Sequence, residues 1–426
     1  MRTLVIGSGG REHAIVRRLL HDPDVTEVHA APGNAGMAAD ATIHQVDINR
    51  GSAVADLAAR IAADLVVIGP EAPLVHGVAD AVRAREIPCF GPSAQAARLE
   101  GSKAFAKEVM AAAGVPTAMA VVCDTVDQVE AALDRFGAPY VVKDDGLAAG
   151  KGVVVTRDRT IALAHAKSCG TVVIEEYLDG PEVSLFCVTD GESVVPFPPA
   201  QDFKRAHDGD AGPNTGGMGA YSPLPWLPDD FVDDVLARVV VPTIDEMRSR
   251  GTPFVGALYT GLAVTARGVR VVEFNARFGD PDIQPVFARL RSGLGGLLLA
   301  AATGRLAEHP GPHWDPAAAV SVVLAAPGYP EAPRTGDPLT GLDAAAELPG
   351  VDVLHAGTRL DSGGSIVSSG GRVLSVTALG ADLDAARDAA YAGLTRISLD
   401  GGHHRTDIAL AAARGEVTVP APPDPS

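Results

Sequence analysis

The segment Val271-Val272-Glu273-Phe274-Asn275-Ala276-Arg277-Phe278-Gly279-Asp280-Pro281-Asp282 runs from a strand-like pattern into a charged turn. Its first half alternates, which places Val271, Glu273 and Asn275 on one face and Val272 and Phe274 on the other. A carboxylate and an amide oxygen then stand about 7 Å apart along one strand. Both are hard oxygen donors, the kind Mg²⁺ accepts while it keeps waters and bridges substrate phosphates. Alone, the same residues also fit a solvated strand end, so the surrounding sequence has to decide.

With 426 residues, 46% hydrophobic and 21% charged, the chain is globular and too long for one core. Its formal net charge is -18 and it has no long Lys/Arg run. That balance serves solubility and lacks the basic footprint that nucleic-acid binding requires, while a local basic pocket for a small phosphorylated metabolite stays open. Cys89, Cys123, Cys169 and Cys187 are widely spaced without a CxxC pair. Reduced, mostly buried thiols are expected rather than a zinc site or disulfides. Residues 1–6 lead straight into Gly7 without a signal-peptide apolar region, and no apolar run is long enough for a bilayer. A cytoplasmic protein without membrane or nucleic-acid partners is expected, with a monomer as the default.

Toward the N terminus strand and helix patterns alternate: residues 3–6, a helix at about 12–20, residues 25–30, and Leu65-Val66-Val67-Ile68 ending at Gly69-Pro70. Strands that stop at glycine turns and feed helices make a parallel sheet with ligands at its carboxyl ends. Breaks fall near Phe90-Gly91-Pro92-Ser93 and Pro310-Gly311-Pro312. Between them, longer strands, hairpins and helices suggest an α+β unit. The tail carries short strands at 319–324 and 371–377 and a helix at about 383–397, and Pro-rich residues 419–426 are expected to be disordered. The expected architecture is α/β and α+β multidomain, divided at 1–101, 102–310 and 311–426.

Gly7-Ser8-Gly9-Gly10-Arg11-Glu12-His13 stands where a dinucleotide fingerprint would, yet Glu12 replaces the third glycine and Ala30-Ala31 the ribose-binding acid. Unpaired amides at a helix start favour a substrate phosphate over NAD, with a plain tight turn as the alternative. Gly146-Leu147-Ala148-Ala149-Gly150-Lys151-Gly152 is one residue short of a Walker A loop, and Gly152 replaces its Ser/Thr. Strands at 140–143 and 153–155 flank it. It reads either as a glycine hairpin or as the tip of a flap whose amides close over a triphosphate, with Lys143 neutralising charge. Val172-Val173-Ile174-Glu175-Glu176-Tyr177-Leu178 fits an edge strand or a hinge whose backbone reads adenine while Glu182 takes ribose hydroxyls. Asp202-Phe203-Lys204-Arg205 and Gly212-Pro213-Asn214-Thr215-Gly216-Gly217-Met218-Gly219 add a charged cluster and a second glycine loop.

In this order the runs resemble the phosphoribosylamine–glycine ligase (glycinamide ribonucleotide synthetase) family of ATP-grasp ligases, over nearly the whole chain. The resemblance also rests on Pro32-Gly33-Asn34-Ala35-Gly36, Gly69-Pro70-Glu71-Ala72-Pro73-Leu74-Val75, Gly101-Ser102-Lys103, His355-Ala356-Gly357-Thr358 and Gly370-Gly371-Arg372. It implies a Rossmann-like pre-ATP-grasp domain, an ATP-grasp domain with a mobile flap subdomain at about 120–182, and a small C-terminal α+β domain. It further implies that glycine is joined to 5-phosphoribosylamine with ATP and Mg²⁺ or Mn²⁺, an early step of purine biosynthesis. By that resemblance Lys103, Lys143, Gly146, Gly150, Lys151 and Gly152 hold ATP phosphates. Glu175, Glu176, Tyr177, Leu178 and Glu182 hold the nucleoside, and Glu273 and Asn275 the metal. Gly9, Gly10, Arg11, Glu12, Gly33, Asn34, Gly69, Pro70 and Glu71 hold phosphoribosylamine. Asp202, Arg277 and Lys143 act at the reacting groups, with Gly279, Asp280 and Pro281 lining the glycine and acyl-phosphate region.

Asp144 departs from the small residue usual after the flap lysine, and alternation turns it away from the phosphates. Residues 164–170 are shorter than the Gly-rich loop usual before the hinge, which predicts a more open nucleotide site. Asp282 replaces a more usual Glu, keeping the charge with less reach. Another ATP-grasp ligase or carboxylase would share the centre but not the N-terminal turns. A NAD(P) oxidoreductase lacks its third glycine and ribose acid here, and retained Lys103, Lys143, Glu273 and Asn275 count against a non-catalytic sensor. A closed flap would keep water from an acyl phosphate. Limited proteolysis across residues 145–153 should therefore slow when an ATP analogue is bound; equal cleavage with and without it would refute closure.

Overall fold

The structure, a computed structural model, describes residues 1–147 and 152–421. Arg2–Gly7 and Leu65–Ile68 lie side by side in a five-stranded parallel sheet, flanked by Glu27–Pro32 and Thr42–Ile43 on one side and Cys89–Phe90 on the other. These strands are apolar on both faces because both are covered: Leu4 and Ile6 enter one core, Val5 another. Gly7 and Gly69 end the two central strands, where the strand order reverses and an α/β sheet opens a crevice. Glu12 fills it. A Cβ on Gly69 would stand 2.1 Å from Glu12 Oε1, and one on Gly7 2.4 Å from Glu12 Cγ.

A separate antiparallel sheet has the order Ala120–Cys123, Val172–Glu175, Tyr140–Asp144, Val153–Thr156. Two helices pack on it, Val126–Phe136 started by a Thr125/Gln128 capping box and Arg159–Ser168 capped by Asp158. Its small core, including Cys123, Leu133, Val142 and Ile174, is separate from the two larger clusters. The body sheet joins Val194–Pro196, Glu182–Asp190, Val255–Thr265 and Gly268–Asn275.

In the last of these strands the alternation expected for residues 271–275 fails. A β-bulge between the pairs Gly261/Glu273 and Leu262/Val271 leaves Val272 unmatched, which reverses the phase of the strand. Val271 and Phe274 therefore share a core. Glu273 and Asn275 keep a common face, but Val271 is not on it.

A third sheet orders Gln201–Asp202, Gly219–Ser222, Ala318–Ala325, Arg372–Gly380 and Val351–His355. It draws strands from both sides of residue 310, where a domain division was expected. All four cysteines are free, with only Cys169 partly exposed. Among the described residues no helix is long and apolar enough to cross a membrane. Residues 422–426, within the tail expected to be disordered, lie outside the described residues.

The N- and C-terminal parts are pinned by polar contacts beside the helix Gly10–Leu20. Asn34 Nδ2 donates to Ser8 O (2.9 Å) and His355 O (2.8 Å), while its Oδ1 accepts from Met37 N (2.9 Å). His355 N donates to Nδ1 of fully buried His13 at 2.8 Å, and His13 Nε2 lies 2.9 Å from Asp40 Oδ2. Burial, together with His13 and Arg17, pushes His355 down to about 4. An unfolded histidine titrates at about 6.5. The stability carried by neutral His355 is therefore full above that value and is lost as pH falls through the folded value, by about 3 kcal/mol in total. His355→Gln should flatten the dependence of Tm on pH in this window; an unchanged slope would exclude His355 as its source.

Candidate active site

Three elements converge on Glu175, a buried carboxylate at the end of Val172–Glu175. Lys143 Nζ lies 2.8 Å from Glu175 Oε2 and donates to Val272 O at 3.0 Å. Lys107, on the helix Lys103–Ala113, reaches Glu175 Oε1 at 2.9 Å and donates to Thr117 Oγ1 (2.9 Å) and Ala118 O (3.0 Å). Burial lowers the Lys107 pKa while Glu175 opposes the shift. Lys103 Nζ donates to Gly146 O at 2.9 Å. Asp145 accepts from Ser102 Oγ (3.2 Å) and Ala104 N (3.1 Å), tying the end of the strand Tyr140–Asp144 to the helix start. Gly152 O accepts from Asp144 N (2.8 Å) and lies 3.2 Å from His165 Nε2. The expectations for Gly150 and Lys151 lie outside the described residues. Asp144 faces Cys169, whose thiol is raised by burial and by that carboxylate.

Glu176 is committed to the hinge: its N donates to Met119 O, its Oε1 accepts from Met119 N, and its Oε2 pairs with Arg267, all at 3.0 Å. Tyr177 is 49% exposed and Leu178 half-buried beyond the strand end, so both flank the hinge as surface. Glu182 pairs with Lys204.

Gly261 leaves room for Glu273: a Cβ there would come 3.3 Å from Glu273 Cγ and 3.2 Å from Tyr259 Cε1. Burial would raise the Glu273 carboxyl, but Lys204, Lys143, Lys103 and Arg277 together hold it below its ordinary value, ionised. Asn275 follows on the same face, opposite Tyr259. Among the described residues, no group of three His, Cys, Asp or Glu is arranged for a metal. One carboxylate and one amide oxygen suit Mg²⁺ or Mn²⁺ that completes its shell with phosphate and water, and do not suit an all-protein cage.

Beside Glu273 stands a second charged group. Burial pulls the Lys204 ammonium down, but Glu182 and Asp202 outweigh it and hold it charged. Asp202 is pushed well above the carboxylate range by burial and by Asp282, Glu182 and Glu273, against the pull of Lys204. Asp282 is raised by burial too, and accepts from Ser184 Oγ at 2.6 Å; Tyr259 OH lies 3.1 Å from that hydroxyl.

At the far end, Arg277 Nη2 lies 3.0 Å from Glu100 Oε1, and Nη1 donates to Phe278 O at 3.1 Å. Its Nε is 3.4 Å from Glu71 Oε2, an ion-pair distance without hydrogen-bond alignment. Asp280 accepts from Gln284 Nε2 at 2.8 Å and lies 3.4 Å from Arg372 Nη2. Burial would raise the Asp280 carboxyl, but Arg372 and Arg11 hold it low. Arg372 also donates to Gly216 O and Asp280 O.

The expectation of unpaired amides in the first glycine turn needs correction. Glu12 Oε2 accepts from Gly9 N at 2.6 Å while Glu12 Oε1 binds Arg11. Asp280 also stands over the helix start, 3.2 Å from where a Cβ on Gly9 or Gly10 would lie. The helix start thus already faces two carboxylates. The Asn34 amide is spent on the joint between the N- and C-terminal parts. Gly33, at φ +68°, closes its turn where a Cβ would meet Ile43 Cδ1 at 2.6 Å, and Gly69 and Pro70 shape the crevice that Glu12 fills. Lys107, Lys204 and Arg372 belong to the site and had no role assigned from sequence. Lys107 stands four residues after Lys103 on one helix face, and Lys204 lies in the charged cluster at 202–205.

Three family models match in chain order: phosphoribosylglycinamide synthetase N domain over residues 1–100, ATP-grasp (A) domain over 101–283, and C domain over 319–411. The chain belongs to the phosphoribosylglycinamide synthetase family. A phosphoribosylamine–glycine ligase of Streptomyces coelicolor is 66% identical, across 97% of this chain and 100% of its own length. One from Mycobacterium tuberculosis is 58% identical, across 98% and 100%. The crystal structure of phosphoribosylamine–glycine ligase from Thermotoga maritima has a TM-score of 0.83 at 32% identity, covering 96% of this chain and 100% of that one. In this phosphoribosylglycinamide synthetase family member the site draws on all three matched regions: Glu12 from the first, Lys143 and Glu273 from the second, Arg372 from the third. Because Asp144 faces Cys169, on the opposite side of the strand from Lys143, Asp144→Ala should leave KM for ATP within about twofold; a larger change in steady-state kinetics would refute that orientation.

Proposed function

We propose that the chain is an ATP-dependent ligase that joins glycine to 5-phospho-D-ribosylamine, giving glycinamide ribonucleotide, ADP and phosphate in purine biosynthesis. The observation that carries this reading is Glu273, ionised among four cationic side chains and sharing a strand face with Asn275. Family membership across the chain supports the identity of the two substrates.

Glycine's carboxylate is a poor electrophile at neutral pH. Its oxygen attacks the γ-phosphorus of ATP, the bond to the β-phosphate oxygen breaks, and glycyl phosphate and ADP form. The sugar amine then adds to the carbonyl carbon, the carbon–oxygen bond to phosphate breaks, and phosphate and a proton leave. Lys103 and Lys143 neutralise the triphosphate, and the Glu175–Leu178 hinge backbone holds the nucleoside. Glu273 and Asn275 would hold Mg²⁺ or Mn²⁺, which when bound would supply charge stabilisation to the triphosphate. Asp202, raised by burial and by neighbouring carboxylates, accepts the proton that the attacking amine loses. Arg277 sits against the glycyl group, and phosphoribosylamine lies beside Arg11, Glu71 and the 279–281 turn, outside the gap that Glu12 fills. Positioning and charge neutralisation supply the rate, so no side-chain nucleophile is required. Free thiols together with these substrates support a cytoplasmic setting.

ADP release should require glycine, freshly made phosphoribosylamine and Mg²⁺-ATP together, with glycinamide ribonucleotide as product. Turnover that persists without glycine or without the sugar amine would overturn this substrate assignment.

A further inference from the structure

We propose that Lys107 is a positioning residue: it takes half of the Glu175 carboxylate and so keeps Lys143 available to a nucleotide phosphate. The inference rests on the ATP-site reading above. Counting donors separates the two lysines, because an ammonium has three N–H groups. Those of Lys107 are matched by Glu175 Oε1, Thr117 Oγ1 and Ala118 O at 2.9, 2.9 and 3.0 Å, which leaves none for a ligand. Among the described residues those of Lys143 meet Glu175 Oε2 and Val272 O at 2.8 and 3.0 Å, which leaves one.

Charge gives the same division of labour. Two ammonium groups around one carboxylate leave a net positive charge in a buried setting, where attraction for phosphate is stronger than in water. Without Lys107, Glu175 would close on Lys143 alone and cancel it. Placement adds a second effect. The chain enters the flap sheet through residues 117–119 and leaves it through 175–176, and Lys107 binds both passages. Thr117 Oγ1 in turn donates to Val271 O at 2.7 Å, next to the Val272 carbonyl that Lys143 holds. One ammonium therefore links the hinge, the phosphate lysine and the strand that carries Glu273.

The test is calorimetric titration of the full chain with a non-hydrolysable ATP analogue and Mg²⁺, alongside steady-state kinetics and thermal unfolding. Lys107→Met should weaken nucleotide binding and raise KM for ATP by about tenfold or more, with KM for glycine changed by less than about threefold. The double variant Lys107→Met/Glu175→Gln removes the acid that would sequester Lys143, and should recover affinity to within about threefold of the parent. A merely structural lysine would leave the double variant as weak as the single one or weaker. Lys107→Gln, which keeps a donor for Ala118 O while losing the charge, carries the same expectation should the methionine variant not fold. Unchanged nucleotide affinity in the folded single variants, or no recovery in the double, overturns the role of Lys107 alone. A parent protein that binds no ATP analogue overturns the ATP-site reading, and this inference with it.

Discussion

A carboxylate that is only 3% exposed, as Glu175 is, costs several kcal/mol to remove from water unless cations come to it. That requirement organises the middle of the molecule. The helix Lys103–Ala113 has to present Lys107 inward, the strand Tyr140–Asp144 has to turn Lys143 toward the body, and the hinge segment at 117–118 has to lie within reach of the same ammonium. Replacing such a trio by well-packed apolar side chains is often neutral or stabilising. Its worth therefore lies in where it holds Lys143, and the bulged strand beside it makes the same point. Val272, the unmatched residue, offers its carbonyl to Lys143 while Glu273 next to it turns toward the lysines.

The opposite end of the site is assembled by the same principle from more distant parts of the chain. Arg11, Arg277 and Arg372 come from the three matched regions and meet Glu71, Glu100 and Asp280 there. A desolvated charge left without its partner is heavily destabilising, so these ion pairs fix the relative placement of the three regions around the 279–281 turn. Asn34 and His13 reinforce the joint from behind, each bonding to His355. The sheet is shared across residue 310: strands Gly219–Ser222 and Ala318–Ala325 pair just after Gly216, whose carbonyl Arg372 holds.

Local order was legible in the sequence where the hydrophobic period and the glycines acted together. Leu65–Ile68 is a strand as read, and the parallel sheet with its glycine-ended strands stands as expected. The face shared by Glu273 and Asn275 was right, while the position of Val271 was wrong, because one unmatched residue reverses the phase and leaves no mark on composition. From sequence Glu12 departs from a dinucleotide fingerprint and, by resemblance, holds phosphoribosylamine; that it fills the gap between Gly7 and Gly69 depends on a strand far along the chain. Arg372 could not be assigned from its own neighbourhood, since its partners Gly216 and Asp280 are distant in sequence. Long-range pairing of charges, not local pattern, is what the sequence concealed.

Glu273 and Asp202 show how far such pairing can separate two like groups. Both carboxylates are desolvated and both feel Lys204, yet one is held low and the other high. Glu273 is surrounded by four cationic side chains, whereas Asp202 has one cation against the carboxylates of Asp282, Glu182 and Glu273. Where two titratable groups in one cleft are pushed apart in this way, their chemical roles divide accordingly. The group that stays ionised is suited to a divalent cation, and the group that takes a proton readily is suited to receive one from an amine. The ionised state of Glu273 itself helps raise Asp202.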